Sequence, residues 1–164
     1  SGSSSGGGGD NEVDAAVVAA HPFRPLYISG GSYGSLLLWQ WNVGRPIITY
    51  RTPPGPAVTA IKFNSRGTKF AVGDRAGFLL AYRFHFQSHH HHHSGAVLPY
   101  FTFKAHNKKT AAVVFGSSSS SIITAGQGGI DRVTTANIAL WDTTRAPGSN
   151  LVSTFSTTTT SSSS

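Results

Sequence analysis

The sequence predicts an all-β fold, a partial β-propeller of about three four-stranded blades. Three observations lead to this prediction. Short apolar strands alternate with turn residues, and no segment shows the 3.6-residue period of a helix. A third is a glycine-rich turn followed by an aromatic-ended strand, which recurs in residues 26–41, 68–84 and 121–143. The aromatic residues near the strand ends are Trp39, Tyr82 and Trp141. The step from Trp39 to Tyr82 matches the roughly 40 residues of one blade.

Each repeat is completed by one strand before this hairpin and one strand after it. The first strands are "DAAVVAA" (14–20), "AVTAIKF" (57–63) and "TAAVVF" (110–115). Turns of Pro, Gly, Ser or Asn follow them, and these residues favour hairpin connections. The fourth strands are "RPIITYRT" (45–52), "LPYFTF" (98–103) and "NLVSTF" (150–155). The twelve strands group into predicted blades at residues 13–52, 57–103 and 105–155.

Two long connections explain why the third repeat is more widely spaced than the second. Residues 85–97 form a histidine-rich loop in blade 2, and residues 126–137 form a stretched turn in blade 3. Surface connections tolerate insertions of this kind. Residues 1–12 are predicted to be a low-complexity Gly/Ser arm and residues 156–164 a Ser/Thr-rich tail. Neither segment has enough apolar surface to offset the entropy of ordering.

Three blades do not close a ring, since complete propellers typically have about four to eight. The chain begins with Ser and contains no Met, so we expect a fragment of a longer protein. The remaining blades would come from that protein or from another molecule. An open β-sandwich of about twelve strands is the alternative architecture, but the repeated turn and aromatic residue favour a propeller.

The composition argues against several classes of protein. The chain has no Cys, which excludes disulfides, a thiol nucleophile and thiolate metal ligands. Its net charge is +7, yet the Lys and Arg residues are scattered, whereas surfaces that follow nucleic-acid phosphates show clusters. We therefore expect no specific nucleic-acid partner, with an acidic partner or an anionic membrane surface as the alternative meaning of the charge. No apolar run approaches the roughly 18 residues of a transmembrane helix.

Two further patterns resemble chemical sites. "GGSYG" (30–34) matches the G-x-S-x-G nucleophile elbow, which would make Ser32 the nucleophile of a hydrolase. That motif needs a helix after the turn, and a predicted strand follows instead. His89 to His93 could bind a transition metal, but the tract has no structured ligand spacing, so low complexity is the better explanation. We predict no catalytic residue, no metal site and no cofactor.

The end of the third repeat, "NIALWDTTRAP" (137–147), resembles the Trp-Asp strand of WD-repeat blades. That resemblance implies a buried hydrogen-bonded set of His106, Thr124, Asp131 and Trp141 with a structural role. Blades 1 and 2 lack the full set, so we expect them to depend on apolar packing.

The chain also resembles one family in longer strings, the DmX-like, rabconnectin-3 alpha or Rav-type proteins, in their C-terminal WD-repeat region. The matching stretches are "HPFRPLYISGGSYGSLLLWQW", "VTAIKFNSRGTKFAVGDRAGFLLAYRF", "LPYFTFKAHNKKTAAVVFGSSSSSIITAG" and "NIALWDTTRAPGSNLVSTF". The resemblance implies a large, non-catalytic cytoplasmic scaffold, peripheral on endomembranes. It also implies a role in a RAVE-type complex that promotes V-ATPase assembly from V1 and Vo and so organelle acidification, with V1 subunits and other assembly-complex subunits as partners. The poly-His loop and the Ser/Gly runs depart from the family pattern.

Two other functions stay open at this point. The chain could be a WD-repeat adaptor in another complex, for trafficking or ubiquitin ligation, or a hydrolase that uses Ser32. Partner identification tests the first, and an activity that Ser32→Ala removes would favour the second.

Overall fold

The computed structural model describes residues 15–86, 97–130 and 136–157, and all its regular elements are β-strands. Blade 1 contains β1 (Ala15–Ala20), β2 (Leu26–Gly31), β3 (Leu36–Gln40) and β4 (Ile48–Arg51). Blade 2 contains β5 (Val58–Phe63), β6 (Lys69–Asp74), β7 (Phe78–Arg83) and β8 (Phe101–Lys104). Blade 3 contains β9 (Thr110–Phe115), β10 (Ser121–Gly126), β11 (Ile138–Asp142) and β12 (Leu151–Phe155). Each blade is a four-stranded antiparallel sheet whose strands are paired in chain order.

The fourth strands of blades 1 and 2 are shorter than the sequence patterns predict. Strand β4 begins at Ile48 and β8 at Phe101, whereas the patterns placed their starts at residues 45 and 98. Pro46 and Pro99 lie in the residues lost from these starts. A proline has no N–H to donate to a strand ladder, so regular pairing begins after it.

In the first two hairpin turns of blade 2, a side chain accepts hydrogen bonds from backbone N–H groups of the same turn. The Asn64 side chain accepts hydrogen bonds from the N–H groups of Thr68 and Lys69 at 2.9 and 3.0 Å. The Asp74 carboxylate likewise accepts from the N–H groups of Ala76 and Phe78, each at 3.0 Å. Asn and Asp favour turns for this reason, and these contacts fix the two hairpins of blade 2.

The three blades pack face to face with blade 2 in the middle. Its first strand, β5, contacts both β1 and β9, which places the first strands together along one edge of the assembly. One apolar core lies between blades 1 and 2, with Leu38 and Phe70 among its buried members. A second core lies between blades 2 and 3 and includes Leu79 and Trp141. The cores are therefore formed between blades, and a single blade buries neither face completely.

Strand pairing gives the blades a common register. Trp39 pairs with Tyr27, Tyr82 with Phe70, and Trp141 with Ile122. The side chains at these positions in blades 2 and 3 lie in the cores toward the preceding blade. Because the positions are equivalent, the Trp39 and Tyr27 side chains of blade 1 point away from blade 2, toward a side on which the structure describes no blade.

Glycines let neighbouring blades approach closely at two equivalent positions. A Cβ on Gly30 would lie 2.6 Å from Val58 Cβ, and a Cβ on Gly73 would lie 2.7 Å from Thr110 Cγ2. In both cases the glycine belongs to the second strand of one blade and the opposing residue begins the next blade. The backbone of one blade therefore contacts a β-branched side chain of the next.

Two sheet faces remain uncovered among the described residues. The blade 1 open face contains Val18, Tyr27, Ser29 and Trp39. The blade 3 open face contains the residues of β9 to β12 that point away from blade 2: Val114, Ala125, Leu140 and Phe155. Val18, Val114 and Phe155 are exposed.

Candidate functional site

A group of fully buried, hydrogen-bonded polar side chains lies between blades 2 and 3. Thr124 on β10, Trp141 on β11 and His106 before β9 are almost completely buried there. The indole Nε1 of Trp141 donates to Thr124 Oγ1 at 2.8 Å. His106 Nε2 lies 2.8 Å from the same oxygen. Three of the four residues that the sequence analysis grouped are thus in one hydrogen-bonded chain.

The fourth residue, Asp131, lies outside the described residues. Within the described part of the chain, His106 Nδ1 is buried and has no hydrogen-bond partner. A buried ring nitrogen normally has a partner. A carboxylate would accept its proton, so Asp131 as the partner of Nδ1 remains our prediction.

Burial also sets the charge state of this histidine. Desolvation lowers the pKa of His106 below its ordinary value, because an apolar surrounding disfavours the cation. The side chain of His106 is not accessible to a substrate. The arrangement is therefore suited to holding blade 3 together and not to acid-base catalysis.

Blade 1 contains part of the same arrangement, which the sequence analysis missed. Trp39 Nε1 donates to Ser29 Oγ at 2.8 Å, and the Trp39 ring stacks on Tyr27 with 6.2 Å between centroids. The sequence analysis expected blade 1 to depend on apolar packing, and the structure adds this hydrogen bond to the apolar core that blade 1 shares with blade 2. A usable signal was present, because Ser29 follows Tyr27 by two residues as Thr124 follows Ile122.

In blade 2, Val72 stands where blades 1 and 3 have Ser29 and Thr124, so Tyr82 has no equivalent hydroxyl group beside it. Tyr82 is packed against other aromatic rings instead. The Tyr82 ring stacks on Phe70 at 4.9 Å and meets Tyr50 of blade 1 edge to face at 5.5 Å. Burial raises the pKa of the Tyr82 phenol. In this blade the aromatic residue contributes packing area between blades.

His21 is a second residue that the sequence analysis missed. It is buried at the junction of blades 1 and 2, where its Nε2 lies 3.0 Å from the carbonyl oxygen of Gly67. Its Nδ1 accepts from the N–H groups of Phe23 and Arg24. The ring therefore connects the first hairpin turn of blade 1 to that of blade 2. Its position in the turn "HPFRP" gave no sign of an interblade contact.

The accessible surface of the described residues is strongly basic. They contain twelve Lys and Arg residues and two acidic residues. Asp74 pairs with Arg51 of blade 1 at 3.7 Å, and Asp142 pairs with Arg145 at 3.3 Å. Both acids thus have a cationic partner, which leaves ten Lys and Arg residues without a carboxylate within ion-pair distance among the described residues.

A groove of about 560 Å³ lies in this basic surface, where blades 2 and 3 meet. Its lining includes Lys62, Asn64 and Arg66 from blade 2 and the serines at 117–119 from the first hairpin of blade 3. Lys62 and Arg66 are exposed. The groove has cations and hydroxyl groups but no carboxylate in its lining, so it is suited to an acidic partner.

Of the two chemical patterns singled out in the sequence, the structure describes only the one around Ser32. Ser32 lies in the turn between β2 and β3, so the strand Leu36–Gln40 stands where a nucleophile elbow needs a helix. The histidine tract 89–93 lies outside the described residues. Elsewhere, across residues 15–86, 97–130 and 136–157, no three His, Cys, Asp or Glu side chains come together to hold a metal ion. No helix in those ranges could cross a membrane.

Solved structures place the fold in a known class. The structure titled "Structure of U3-55K" matches with a TM-score of 0.65 and 15% identity, covering 88% of this chain and 40% of that one. "Crystal structure of RRP9 WD40 repeats" matches with a TM-score of 0.64 and 15% identity, covering 88% of this chain and 39% of that one. Together with the four-stranded blades, these matches define a partial WD-repeat β-propeller.

Comparison with curated protein sequences shows which WD-repeat proteins this chain resembles. No protein-family model matches the chain. DmX-like protein 1 of Homo sapiens is 35% identical over 138 residues, and that of Mus musculus is 34% identical over 138 residues. Each match covers 84% of this chain but only 4% of the relative. The chain is thus homologous to one small segment of DmX-like protein 1, consistent with a WD-repeat region of the DmX-like family.

Proposed function

We propose that this chain is a non-catalytic interaction module of a V-ATPase assembly scaffold. In this role it contributes to a RAVE-type complex that promotes joining of V1 to Vo and thus organelle acidification. The observation that carries the proposal is the 35% identity to DmX-like protein 1 over 84% of the chain. Its place of action would be the cytoplasmic surface of endomembranes.

The distribution of chemistry in the molecule supports a binding function. His106 and Thr124, whose side chains hydrogen-bond to each other, are buried between blades. The exposed chemistry is the cationic groove with Lys62 and Arg66. Buried polar networks fix a structure, whereas exposed charge attracts and orients a partner. The groove is our candidate contact for an acidic surface of V1 or of another assembly-complex subunit.

Binding of the purified chain to purified V1 tests this assignment. We expect the double variant Lys62→Glu and Arg66→Glu to weaken binding by about tenfold, since a tenfold change corresponds to roughly 1.4 kcal/mol. The matched control is the double variant Arg45→Glu and Arg75→Glu, which makes the same change in net charge. Both residues are exposed cations outside the groove, in the β3–β4 connection and the β6–β7 turn. Equal loss in both variants would indicate a general charge effect and contradict the groove as the contact.

A generic adaptor function is distinguished by the partners found in cells. We expect immunoprecipitation with an antibody to residues 98–115, followed by mass spectrometry, to recover V1 subunits. Recovery of trafficking or ubiquitin-ligation subunits without V1 would favour the adaptor alternative and reject the pump-assembly function. The WD-repeat fold would stand in either case.

A further inference from the structure

The turn between β9 and β10 carries serine hydroxyl groups of two kinds. Ser118 Oγ accepts a hydrogen bond from the Ser120 N–H at 3.1 Å and lies 2.7 Å from Ser120 Oγ. These two serines hold the turn, as short hydroxyl side chains often do. The Ser117 and Ser119 hydroxyl groups have no hydrogen-bond partner among the described residues. Ser119 is half-buried and Ser117 is exposed, so Ser117 combines a free hydroxyl group with access from solvent.

Ser117 lines the cationic groove, and two cations belong to the opposite wall. Lys62 is on β5 and Arg66 is in the turn that follows it, and both are exposed. Neither has a carboxylate within ion-pair distance in the part of the chain that the structure describes. Both walls belong to blades 2 and 3, which pack on each other through β5 and β9. The groove thus brings a free hydroxyl group to two cations whose charge no described acid offsets.

We propose that Ser117 is a phosphorylation site whose phosphate is bound by Lys62 and Arg66, which closes the groove to an acidic partner. The modifying enzyme is a protein serine kinase with ATP as the phosphoryl donor. Ser117 Oγ attacks the γ-phosphorus of ATP, and the new O–P bond forms as the bond from that phosphorus to the β–γ bridging oxygen breaks. ADP leaves, and the hydroxyl proton passes to the catalytic base of the kinase.

The charge of a phosphate matches the charge of this groove. A phosphoserine carries about −1.5 to −2 charges at pH 7 and has three strong acceptor oxygens. Lys62 and Arg66 supply two positive charges and several donors, so the phosphate offsets the charge that attracts an acidic surface. The regulatory step rests on the proposed function of the groove, whereas the binding of the phosphate by the two cations does not.

Mass spectrometry tests whether Ser117 is modified. Trypsin cleaves after Lys109 and Arg132, which releases residues 110–132 with the whole turn. We expect protein isolated from cells in the presence of phosphatase inhibitors to carry a phosphate on Ser117, and Ser117→Ala to remove it. Phosphate on other serines only, or on none, would overturn the proposal.

Phosphorus NMR tests whether the two cations bind the phosphate. Phosphoserine is introduced at position 117 of the full chain, and at position 149 in the matched control, because Ser149 is an exposed serine of blade 3 outside the groove. At position 117 we expect a second phosphate pKa below its ordinary value of about 6, because nearby cations favour the dianion. Lys62→Gln with Arg66→Gln should return this pKa to the ordinary value and leave that at position 149 unchanged. No response at position 117, or equal responses at both positions, would overturn the proposal.

Binding to purified V1 tests the regulatory step. We expect phosphoserine at position 117 to weaken binding by about tenfold, as reversal of the two cations does, and phosphoserine at position 149 to have little effect. If binding depends on Lys62 and Arg66 but phosphoserine at position 117 leaves it unchanged, the regulatory step is wrong and the groove contact stands. If the unmodified chain does not bind V1, the proposed function is rejected together with this step, whereas the NMR comparison still decides whether the cations bind the phosphate.

Discussion

Trp141 and Thr124 join the third and second strands of blade 3 through a 2.8 Å hydrogen bond from the indole Nε1 to Oγ1. The same oxygen lies 2.8 Å from His106 Nε2. One threonine hydroxyl group therefore connects two strands and the segment that leads into β9. Because all three side chains are buried, replacing any of them leaves polar atoms without water to compensate.

Replacement of Trp141 by alanine should destabilise the chain strongly. We expect the free energy of unfolding to fall by about 3–5 kcal/mol, because the substitution removes a large buried ring and the partner of Thr124. Urea unfolding measures this change. Trp41→Ala is the control, since Trp41 is 58% exposed, and it should change stability by no more than about 0.5 kcal/mol. Similar losses in both variants would contradict the buried role of Trp141.

Replacement of Thr124 by valine tests the hydrogen bonds separately from packing. The two side chains have nearly the same shape, but valine leaves the Trp141 N–H and His106 Nε2 without their common partner. We expect a loss of about 1–3 kcal/mol in the free energy of unfolding. Thr102→Val on β8, where Thr102 is exposed, should cost far less. A neutral Thr124→Val would show that these bonds contribute little.

The burial of His106 predicts a dependence of stability on pH. Its pKa is lowered in the folded chain, so the unfolded chain takes up the proton first, near its ordinary pKa of about 6.5. The stabilising contribution is thus present above about pH 6.5 and is lost as the pH falls through the lower folded-state pKa. We expect urea midpoints to fall more steeply for the unmodified chain than for His106→Gln in this window. Parallel decreases would contradict a buried neutral His106.

The close approach of Gly73 to Thr110 predicts that a substitution at Thr110 will partly restore the stability lost by a substitution at Gly73. Gly73→Ala should cost about 1–3 kcal/mol, because its new methyl group meets Thr110 Cγ2 and overpacked cores lose stability by this amount. Adding Thr110→Ala should recover part of the loss. Gly44→Ala is the control, since no atom lies within 4 Å of its added Cβ. Thermal unfolding of the unmodified chain, Gly73→Ala, Thr110→Ala and the double variant gives the coupling energy, and strict additivity would reject the contact.

Ser32→Ala should leave the melting temperature and any measured esterase activity unchanged. The residue lies in a hairpin turn between two strands, and no nucleophile elbow is built around it. An esterase activity that disappears in this variant would revive the hydrolase alternative. Ser65→Ala provides the baseline, because Ser65 is an exposed serine in another hairpin turn, between β5 and β6.

The sequence by itself determined the number of strands, their order and the aromatic residue near the end of each third strand. These features follow from local alternation and turn chemistry, which act within a few residues. It also brought His106, Thr124 and Trp141 into one group, through the resemblance of blade 3 to WD-repeat blades. The tertiary structure decided what depends on two blades meeting. The contact of His21 with Gly67 and the packing of Gly73 on Thr110 arise only when sheets stack. The bond from Trp39 to Ser29 arises only when β2 and β3 pair in register. Burial and close packing are properties of the assembled faces, and local sequence patterns do not specify which residue of a distant strand will lie opposite.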